Sequence, residues 1–305
     1  MPRGKSIRIY MADGTVTGIR HAEIVNWTGQ GIACPRKKVP ELSDWEESHL
    51  PGVYFLFGQG DSEKPLAYIG EAENVFKRLQ NHITNKEFWN EVIFFTNKDE
   101  NLTKAHVKFL ESKLILKAFA AGRYDLENGN NPNESLLPRA DRDAMEEFLD
   151  HARLILGALG HKILEPLTIL YSQGLSAQIN SQVEQTNTVE SDSSNSQLFM
   201  RYKKISAQAV QTDEGIVVLK KSEAYVKINE NLGIGYKKLK EKLIQNGILV
   251  EKGIHLVFMN DYLFNSPSAA AAVIAGQPMN GRTSWKTKSG KTLKEVEESL
   301  TSNFQ

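Results

Sequence analysis

A polar stretch in the second half of the chain limits how the rest can fold. Residues 174–197 read GLSAQINSQVEQTNTVESDSSNSQ, with no aromatic residue and no sustained hydrophobic periodicity. Such a segment cannot bury enough apolar surface to offset the entropy of ordering it, so it predicts a disordered linker. The sequence therefore predicts a first unit with a β extension at 1–50 and a main domain at 51–173, and a second unit at 198–305.

Composition places the chain among soluble globular proteins. It is 40 % hydrophobic and 24 % charged, and no apolar run approaches the roughly 18 residues of a membrane span. The N-terminal MPRGKSIRIY lacks the apolar core of a signal peptide. The single cysteine, Cys34, cannot form an internal disulfide, which agrees with a reducing compartment. We expect a cytoplasmic protein without a membrane partner.

The charge is balanced overall but not along the chain. Lys and Arg together number 37, as do Asp and Glu, which excludes a general polycation. Residues 201–305 nevertheless hold 16 basic and 10 acidic residues, so the basic surplus lies in the second unit.

The first unit alternates short strands with amphipathic helices. Residues 6–10 and 15–19 flank Ala-Asp-Gly and predict a hairpin. Thr103 is a predicted N-cap and Gly122 a predicted C-terminal cap of one helix. The remaining elements are predicted strands at 52–57, 66–69 and 91–96 and predicted helices at 71–84 and from Asp141 onward. This order predicts an α+β fold, a small mainly antiparallel sheet flanked by helices.

Two of these helices carry polar residues in informative positions. Asn74, Arg78 and His82 recur every fourth residue and share one helix face, which fits either a solvated polar face or a functional site. Glu111 falls inside the apolar arc of the helix that ends at Gly122. Because a buried carboxylate needs a partner, Glu111 predicts either an ion pair with Arg or Lys or a site for Mg²⁺.

These residues follow two near-matching triplets, Gly52-Val53-Tyr54 and Tyr68-Ile69-Gly70, and precede Asn128. In order and spacing the set resembles the GIY-YIG nuclease family over about residues 51–132. The resemblance implies a compact α+β domain that cleaves phosphodiester bonds of DNA with Mg²⁺ or Mn²⁺. We therefore expect a metal-dependent DNA endonuclease from a restriction, defence, repair or mobile-element system of a bacterium or its phage.

The resemblance also implies a role for each matching residue. Tyr54 is the general base or orients the attacking water, and Tyr68 positions the phosphate. Arg78 stabilises charge on the transition state, His82 orients the nucleophile or assists Tyr54, Glu111 is the protein ligand of the metal, and Asn128 helps to fix the site. A phenol is a poor base at neutral pH, so its phenolate needs a cation, for which Arg78, Lys77 and the metal are candidates.

The sequence departs from the family pattern at three places. Val53 replaces isoleucine, which is neutral in a strand. The loop at 58–65 is longer than in many members, which alters substrate approach. Glu71 and Glu73 stand where a small hydroxyl residue is common, and their charge would repel a docking phosphate.

The second unit predicts a small α+β domain with strands at 215–219 and 256–259 and a basic helix at 236–246. Ser266 is a predicted N-cap, with Pro267 opening an Ala-rich helix that is either internal or a homodimer contact. The unit resembles a domain of unknown function (DUF4357-like) often found behind GIY-YIG modules, and is weakly similar to readers of modified DNA. The DNA-contact candidates are Arg282, Trp285, Lys286 and Lys288, with Trp285 either an exposed stacking platform or a core residue.

Two other functions stay open at this point. The first is a DNA-binding or assembly protein that keeps the nuclease fold without cutting. The second is a small-molecule enzyme, against which stands the lack of a Gly-rich nucleotide loop after a strand.

Overall fold

The computed structural model describes residues 4–60, 64–99, 101–128, 136–167 and 197–302. The chain divides into two compact units, Met1–Pro166 and Leu167–Gln305. Apart from Gln197, the predicted linker lies outside the described residues. Within the described ranges, no helix combines the length and apolar character that a membrane span requires.

The described residues of the first unit form one mainly antiparallel sheet in the strand order β1-β2-β3-β6-β4-β5-β7, in which only β5 and β7 pair in parallel. Its strands are β1 (Ile7–Met11), β2 (Arg20–Ile24), β3 (Gly29–Pro35), β4 (Gly52–Gln59), β5 (Pro65–Ala72), β6 (Trp89–Asn97) and β7 (Asp125–Leu126). Its helices are α1 (Val75–Asn85), α2 (Lys104–Ala121) and α3 (Arg139–Ala158), with 3₁₀ helices at Arg36–Asp44 and Glu46–His49. The predicted α+β class is confirmed.

Alternation along β4 divides its side chains between the two faces of the sheet. Phe55 and Phe57 join a core with apolar residues of α2 and α3. Tyr54 and Leu56 point the other way, into a core with residues of α1 and the first 3₁₀ helix. The candidate residues on α1 therefore lie on the Tyr54 face, and α2 covers the opposite face.

The predicted first hairpin is wrong in its second strand. β1 pairs with Arg20–Ile24 rather than with residues 15–19. Gly14 has a φ of 71°, and the backbone N–H of Ala12 donates to the carbonyl of Ile19 at 3.0 Å. The turn is thus longer than the Ala-Asp-Gly signal indicated.

The helix ends follow their capping residues. Asn74 accepts a hydrogen bond from the backbone of Lys77 at 2.9 Å, so α1 begins at Val75, later than predicted, because β5 continues to Ala72. Thr103 caps α2, and Gly122 ends it with a φ of 63°, as predicted.

Between residues 197 and 302, the described part of the second unit, the chain forms two small antiparallel sheets and four helices. One sheet has the order β14-β10-β9-β8 and the other β11-β13-β12. The strands are β8 (Gln197–Tyr202), β9 (Ile205–Thr212), β10 (Gly215–Val218), β11 (Glu223–Tyr225), β12 (Leu249–Lys252), β13 (His255–Phe258) and β14 (Tyr262–Phe264). The helices are α4 (Ile234–Gln245), α5 (Pro267–Ala275), α6 (Gly281–Ser284) and α7 (Leu293–Ser302).

The Ala-rich helix α5 is the centre of the second unit's core. Ser266 Oγ accepts from the backbone of Ala269 at 3.1 Å, which confirms the predicted cap. Every residue from Ala269 to Ala275 is buried. Small side chains let the surrounding elements approach closely, so α5 packs inside its own unit and does not offer the predicted homodimer contact.

Candidate active site

Tyr54 is the centre of the candidate site. Its side chain is fully buried, at 0 % exposed. The ring lies across Gly70, which is its direct partner on β5. A Cβ at position 70 would stand 2.3 Å from Oη of Tyr54, so only glycine leaves room for the phenol there.

Two side chains of α1 converge on the phenol oxygen. Nε2 of His82 lies 2.7 Å from Oη of Tyr54, and Nε of Arg78 donates to the same oxygen at 3.3 Å. His82 is 6 % exposed, whereas Arg78 is exposed. The solvated-face alternative thus holds for Arg78 but not for His82, whose ring is turned onto the sheet.

Burial sets the protonation states of this pair. It raises the pKa of Tyr54 well above its ordinary value, assisted by Tyr68 and opposed by the hydrogen bond from Arg78. Burial also lowers the pKa of His82 to about 4, assisted by the positive charges of Arg78 and Lys86. At neutral pH the phenol and the imidazole are both uncharged, and Tyr54 Oη can donate its proton to Nε2 of His82.

Tyr68, on β5, lies on the same face of the sheet as Tyr54 and forms the outer part of the cluster. Its ring centroid is 6.2 Å from that of Tyr54 and 5.4 Å from that of His82. Nζ of Lys86 stands 4.3 Å from the centroid of the Tyr68 ring. Unlike Tyr54, the Tyr68 side chain is only partly buried, so it can reach a ligand from solvent.

Asn128 holds β5 in place through its side-chain amide. Oδ1 accepts from the backbone N–H of Ile69 at 2.9 Å, and Nδ2 donates to the Ile69 carbonyl at 2.7 Å. The amide thereby replaces a neighbouring strand just beyond the short β7. Asn128 acts on Tyr68 and Gly70 through the backbone between them, which makes it a positioning residue.

Glu111 reaches the site from α2, beside the Glu71 end of β5. It is half-buried, and its pKa is raised first by burial and then by the charge of Glu71. A hydrogen bond from the Glu71 backbone and the charges of Arg78 and Lys108 oppose this rise. Among the residues that the structure describes, Glu111 forms no ion pair with Arg or Lys, so the predicted ion-pair alternative is not supported.

An open groove of about 380 Å³ runs along the N-terminal half of α1. It is lined by Glu71, Ala72, Glu73, Asn74, Lys77, Arg78, Asn81 and Lys104. Lys104 pairs with Glu73 at 3.2 Å, which offsets one of the two acids that would repel a phosphate. Lys77 is exposed in this groove, where it can meet an anion.

The donor set limits what kind of metal could bind. The described part of the chain contains no cluster of three or more His, Cys, Asp or Glu side chains suited to a metal ion. One accessible carboxylate, Glu111, is a hard oxygen ligand of the kind that Mg²⁺ takes together with waters and substrate phosphate oxygens. The residues fit a weakly held Mg²⁺ or Mn²⁺ completed by substrate, and do not fit a permanently bound zinc.

The stacking-platform prediction for Trp285 is wrong. Its side chain is 0 % exposed, and Nε1 donates to the carbonyl of Pro267 at 3.1 Å. Arg282 pairs with Glu297 at 2.6 Å, which neutralises part of the predicted basic track. The side chains of Lys286 and Lys288 are exposed and stay available.

Sequence reasoning missed three residues around α1, namely Lys86, Glu127 and Arg36. Nζ of Lys86 donates to Glu127 at 2.7 Å, and Lys86 continues the four-residue spacing of Arg78 and His82, a signal that was present in the sequence. Arg36 donates to the carbonyls of Ile83 at 2.8 Å and Lys86 at 2.5 Å, and so caps the C-terminal end of α1. No local pattern connects Arg36 with a helix that begins almost forty residues later.

A second polar network on the other face of the sheet was also missed. Glu91 accepts from Arg20 and lies 2.8 Å from Nε2 of His161. Nδ1 of His161 lies 3.2 Å from the Tyr124 hydroxyl, and the imidazole stacks on Phe57 at 3.7 Å. These residues come from five separate segments, so nothing in their spacing predicts the cluster.

Comparison with known proteins identifies one region of the chain. Residues 198–297 match the family described as a domain of unknown function (DUF4357), which agrees with the resemblance expected for the second unit. The match spans 100 of 305 residues, so it classifies the second unit and not the whole chain. No curated protein and no solved structure matches the chain.

Proposed function

We propose that this protein is a divalent-metal-dependent DNA endonuclease of the GIY-YIG type. The observation that carries the proposal is the convergence of Arg78 and His82 on the buried phenol of Tyr54. The Tyr68 ring lies 6.2 Å from the Tyr54 ring, and Glu111 on α2 interacts electrostatically with Arg78. A packing role alone does not require a guanidinium, an imidazole and two phenols around one point.

The geometry supports a division of roles between buried and accessible groups. Arg78 is exposed on its solvent side and keeps its charge, which suits binding of phosphate oxygens and of the charge that develops during cleavage. Tyr68 is accessible and can orient the phosphate through its hydroxyl. Tyr54 and His82 lie behind them, so Tyr54 orients Arg78 and shares its proton with neutral His82. Burial thus favours the orienting role of Tyr54 over a free phenolate base.

Glu111 would hold the metal, with water and phosphate oxygens as the other ligands. When bound, the ion would supply Lewis-acid polarisation of the phosphoryl group and neutralise the leaving oxygen. Arg78 and Lys77 line one accessible groove, which leaves room for a nucleic-acid backbone, and Glu111 interacts electrostatically with Arg78 and Glu71 of that lining.

We further propose that the DUF4357 unit contributes to DNA recognition or assembly. Its basic surplus and the exposed Lys286 and Lys288 favour contacts with phosphates. Because Trp285 is buried, these contacts are expected to be electrostatic and without base stacking. Lys286→Gln/Lys288→Gln in the full chain should weaken DNA binding and reduce its salt dependence, whereas unchanged affinity would contradict this role.

Cleavage assays test the main proposal. The full chain should nick or cut single-stranded, duplex, branched or modified DNA with Mg²⁺ or Mn²⁺, and EDTA should stop the reaction. Glu111→Gln and Arg78→Ala should each abolish cleavage without loss of folded structure by circular dichroism. Glu146→Gln, which removes an exposed carboxylate on α3, is the matched control and should cut normally.

A non-cutting DNA-binding protein is the alternative that the same assays separate. Wild-type protein that binds DNA but leaves every form intact with both metals would support that alternative. Wild-type protein that neither binds nor cuts would overturn the proposal.

A further inference from the structure

Lys86 extends the functional face of α1 beyond the residues assigned above. Arg78 and His82 lie four residues apart on α1, so they are displaced by only about 40° around the helix, and Lys86, four residues further on, directly follows the helix as its C-cap residue. Arg78 and His82 both point at Tyr54. Lys86, one turn further on, places its ammonium 4.3 Å from the centre of the Tyr68 ring.

The position of Lys86 is fixed from behind. Its carbonyl accepts from Nη1 of Arg36 at 2.5 Å, and its backbone N–H donates to the carbonyl of His82 at 3.0 Å. Arg36 is itself stacked over Trp89 at 4.6 Å. The backbone that carries Lys86 is thereby held at the end of α1, and only the side chain is free to change partner.

The present partner of the ammonium is a carboxylate that is also fixed. Glu127 Oε2 accepts from Lys86 at 2.7 Å, and the Glu127 backbone N–H donates to the carbonyl of Ala67 at 2.9 Å. Asn128, the next residue, grips Ile69 through both polar atoms of its amide. Glu127 therefore stands at the edge of β5 beside Tyr68 and cannot drift away from it.

The ion pair itself is weak enough to exchange. The side chains of Lys86 and Glu127 are 21 % and 39 % exposed. Ion pairs with this degree of exposure typically contribute no more than about 1 kcal/mol. A phosphate diester that approaches Tyr68 offers the ammonium an equivalent anion, but it also meets the charge of Glu127 at close range.

We propose that Lys86 binds a DNA phosphate next to the one that is cleaved, and that Glu127 competes with this phosphate for the same ammonium. The inference rests on the proposed function and adds a specific contact to it. Glu127 then opposes DNA binding, because the DNA backbone must displace the carboxylate from the Lys86 ammonium. A DNA strand that places one phosphate at Lys86 is then bound more tightly than a DNA strand that contacts only Arg78.

Opposite effects of the two partners on DNA binding test the inference. Fluorescence anisotropy with labelled oligonucleotides, in Ca²⁺ to suppress cutting, gives affinity as a function of KCl concentration for the full chain. Lys86→Gln should weaken binding about five- to tenfold and lower the slope of log K against log salt by about one. Glu127→Gln should tighten binding, and Lys86→Arg should retain it.

A second ion pair of the same unit supplies the matched control. Lys117 and Glu146 lie 3.6 Å apart between α2 and α3, and their side chains are 42 % and 43 % exposed. Lys117→Gln and Glu146→Gln remove the same charges there and should change affinity less than twofold. Equal effects at both pairs would show a general charge effect and overturn the inference.

The outcome for wild type separates this inference from the proposed function. Wild-type protein that cuts DNA while Lys86→Gln and Glu127→Gln bind like wild type would overturn only the Lys86 contact. Wild-type protein that neither binds nor cuts any DNA form would overturn both. Weaker binding by both variants would overturn the competition, because Glu127 would then be supporting the complex.

Discussion

Oη of Tyr54 stands over the Cα of Gly70, so closely that a single added methyl group would lie 2.3 Å from the oxygen. The two residues are direct partners on β4 and β5. The glycine is therefore required by the tyrosine, and the tyrosine in turn meets His82 and Arg78 through the same oxygen.

Gly70→Ala should disrupt the site and destabilise the first unit. The phenol cannot move aside without breaking its contacts to α1, so we expect an overpacking cost of about 1–3 kcal/mol. Urea unfolding followed by tryptophan fluorescence measures this, since Trp27, Trp45 and Trp89 all belong to the first unit.

Gly157→Ala is the matched control for that change. Gly157 lies in α3, and an added Cβ would meet nothing within 4 Å. Alanine is favoured over glycine in helices by up to about 1 kcal/mol, so this variant at the penultimate residue of α3 should be at least as stable as wild type. Equal stability of the two variants would show that position 70 has room.

The lowered pKa of His82 predicts that the first unit loses stability in acid. Its folded-state pKa is lowered to about 4 from an ordinary 6.5 by burial and by Arg78 and Lys86, so the unfolded chain binds the proton more tightly. The stability that neutral His82 retains above pH 6.5 should therefore fall as the pH drops from 6.5 towards 4. Each unit of pKa difference corresponds to about 1.4 kcal/mol.

Urea midpoints of wild type and His82→Gln between pH 4 and 7.5 measure this effect. The variant is expected to be less stable at pH 7.5, because Tyr54 loses its imidazole partner, but to lose less of its stability in acid. Parallel curves for the two proteins would mean that the imidazole titrates normally in the folded state.

The sequence predicted the elements of the site better than their surroundings. Thr103 and Gly122 mark the ends of α2 through local backbone chemistry, so these bounds were readable. Helical spacing placed Arg78 and His82 on one face, but it could not say that the sheet covers His82. That depends on which strand face α1 packs against, which is decided by residues far away in sequence.

Long-range contacts account for the other differences. From the sequence alone, Trp285 fits either the surface or the core, because a basic, Gly-rich segment has no hydrophobic periodicity that assigns the tryptophan to one of them. Its burial depends on α5, whose Pro267 carbonyl accepts its N–H. Arg36 and the cluster of Glu91 and His161 likewise join segments that have no shared pattern.

The Glu91 network should contribute measurably to the first unit. Burial alone would raise the pKa of Glu91, but the hydrogen bond and charge of His161, together with Arg20, hold it below its ordinary value. Stability from this lowered pKa is present above about 4.5 and is lost as the pH falls below it. Glu91→Gln should cost about 1–3 kcal/mol at pH 7 and less at pH 4.

Glu87→Gln provides the comparison, because Glu87 is exposed. A surface substitution of this kind should change stability by no more than about 0.5 kcal/mol. A Glu91→Gln protein as stable as Glu87→Gln at pH 7 would show that the network contributes nothing.

Lys240 should give the second unit an alkaline dependence of stability. The side chain is 0 % exposed, and Nζ donates to the carbonyls of Tyr225 at 2.6 Å and Val273 at 2.8 Å. Burial lowers the pKa of Lys240 to about 8 from an ordinary 10.5. The unfolded chain therefore holds the proton more tightly, and stability should rise with pH between about 8 and 10.5.

Lys240→Met isolates this contribution, because it keeps an unbranched side chain without the charge. In this variant the carbonyls of Tyr225 and Val273 lose their hydrogen-bond donor, which lowers stability. Removal of the buried charge raises stability, so the net change at pH 7 is the balance of these two effects. The diagnostic result is the pH dependence. Hydrogen exchange of peptides from residues 215–280, compared between wild type and Lys240→Met at each pH, should show wild type gaining protection relative to the variant from pH 8 upward. A constant difference across that interval would mean that the ammonium stays charged while buried, held by the two carbonyls near the C-terminal end of α5.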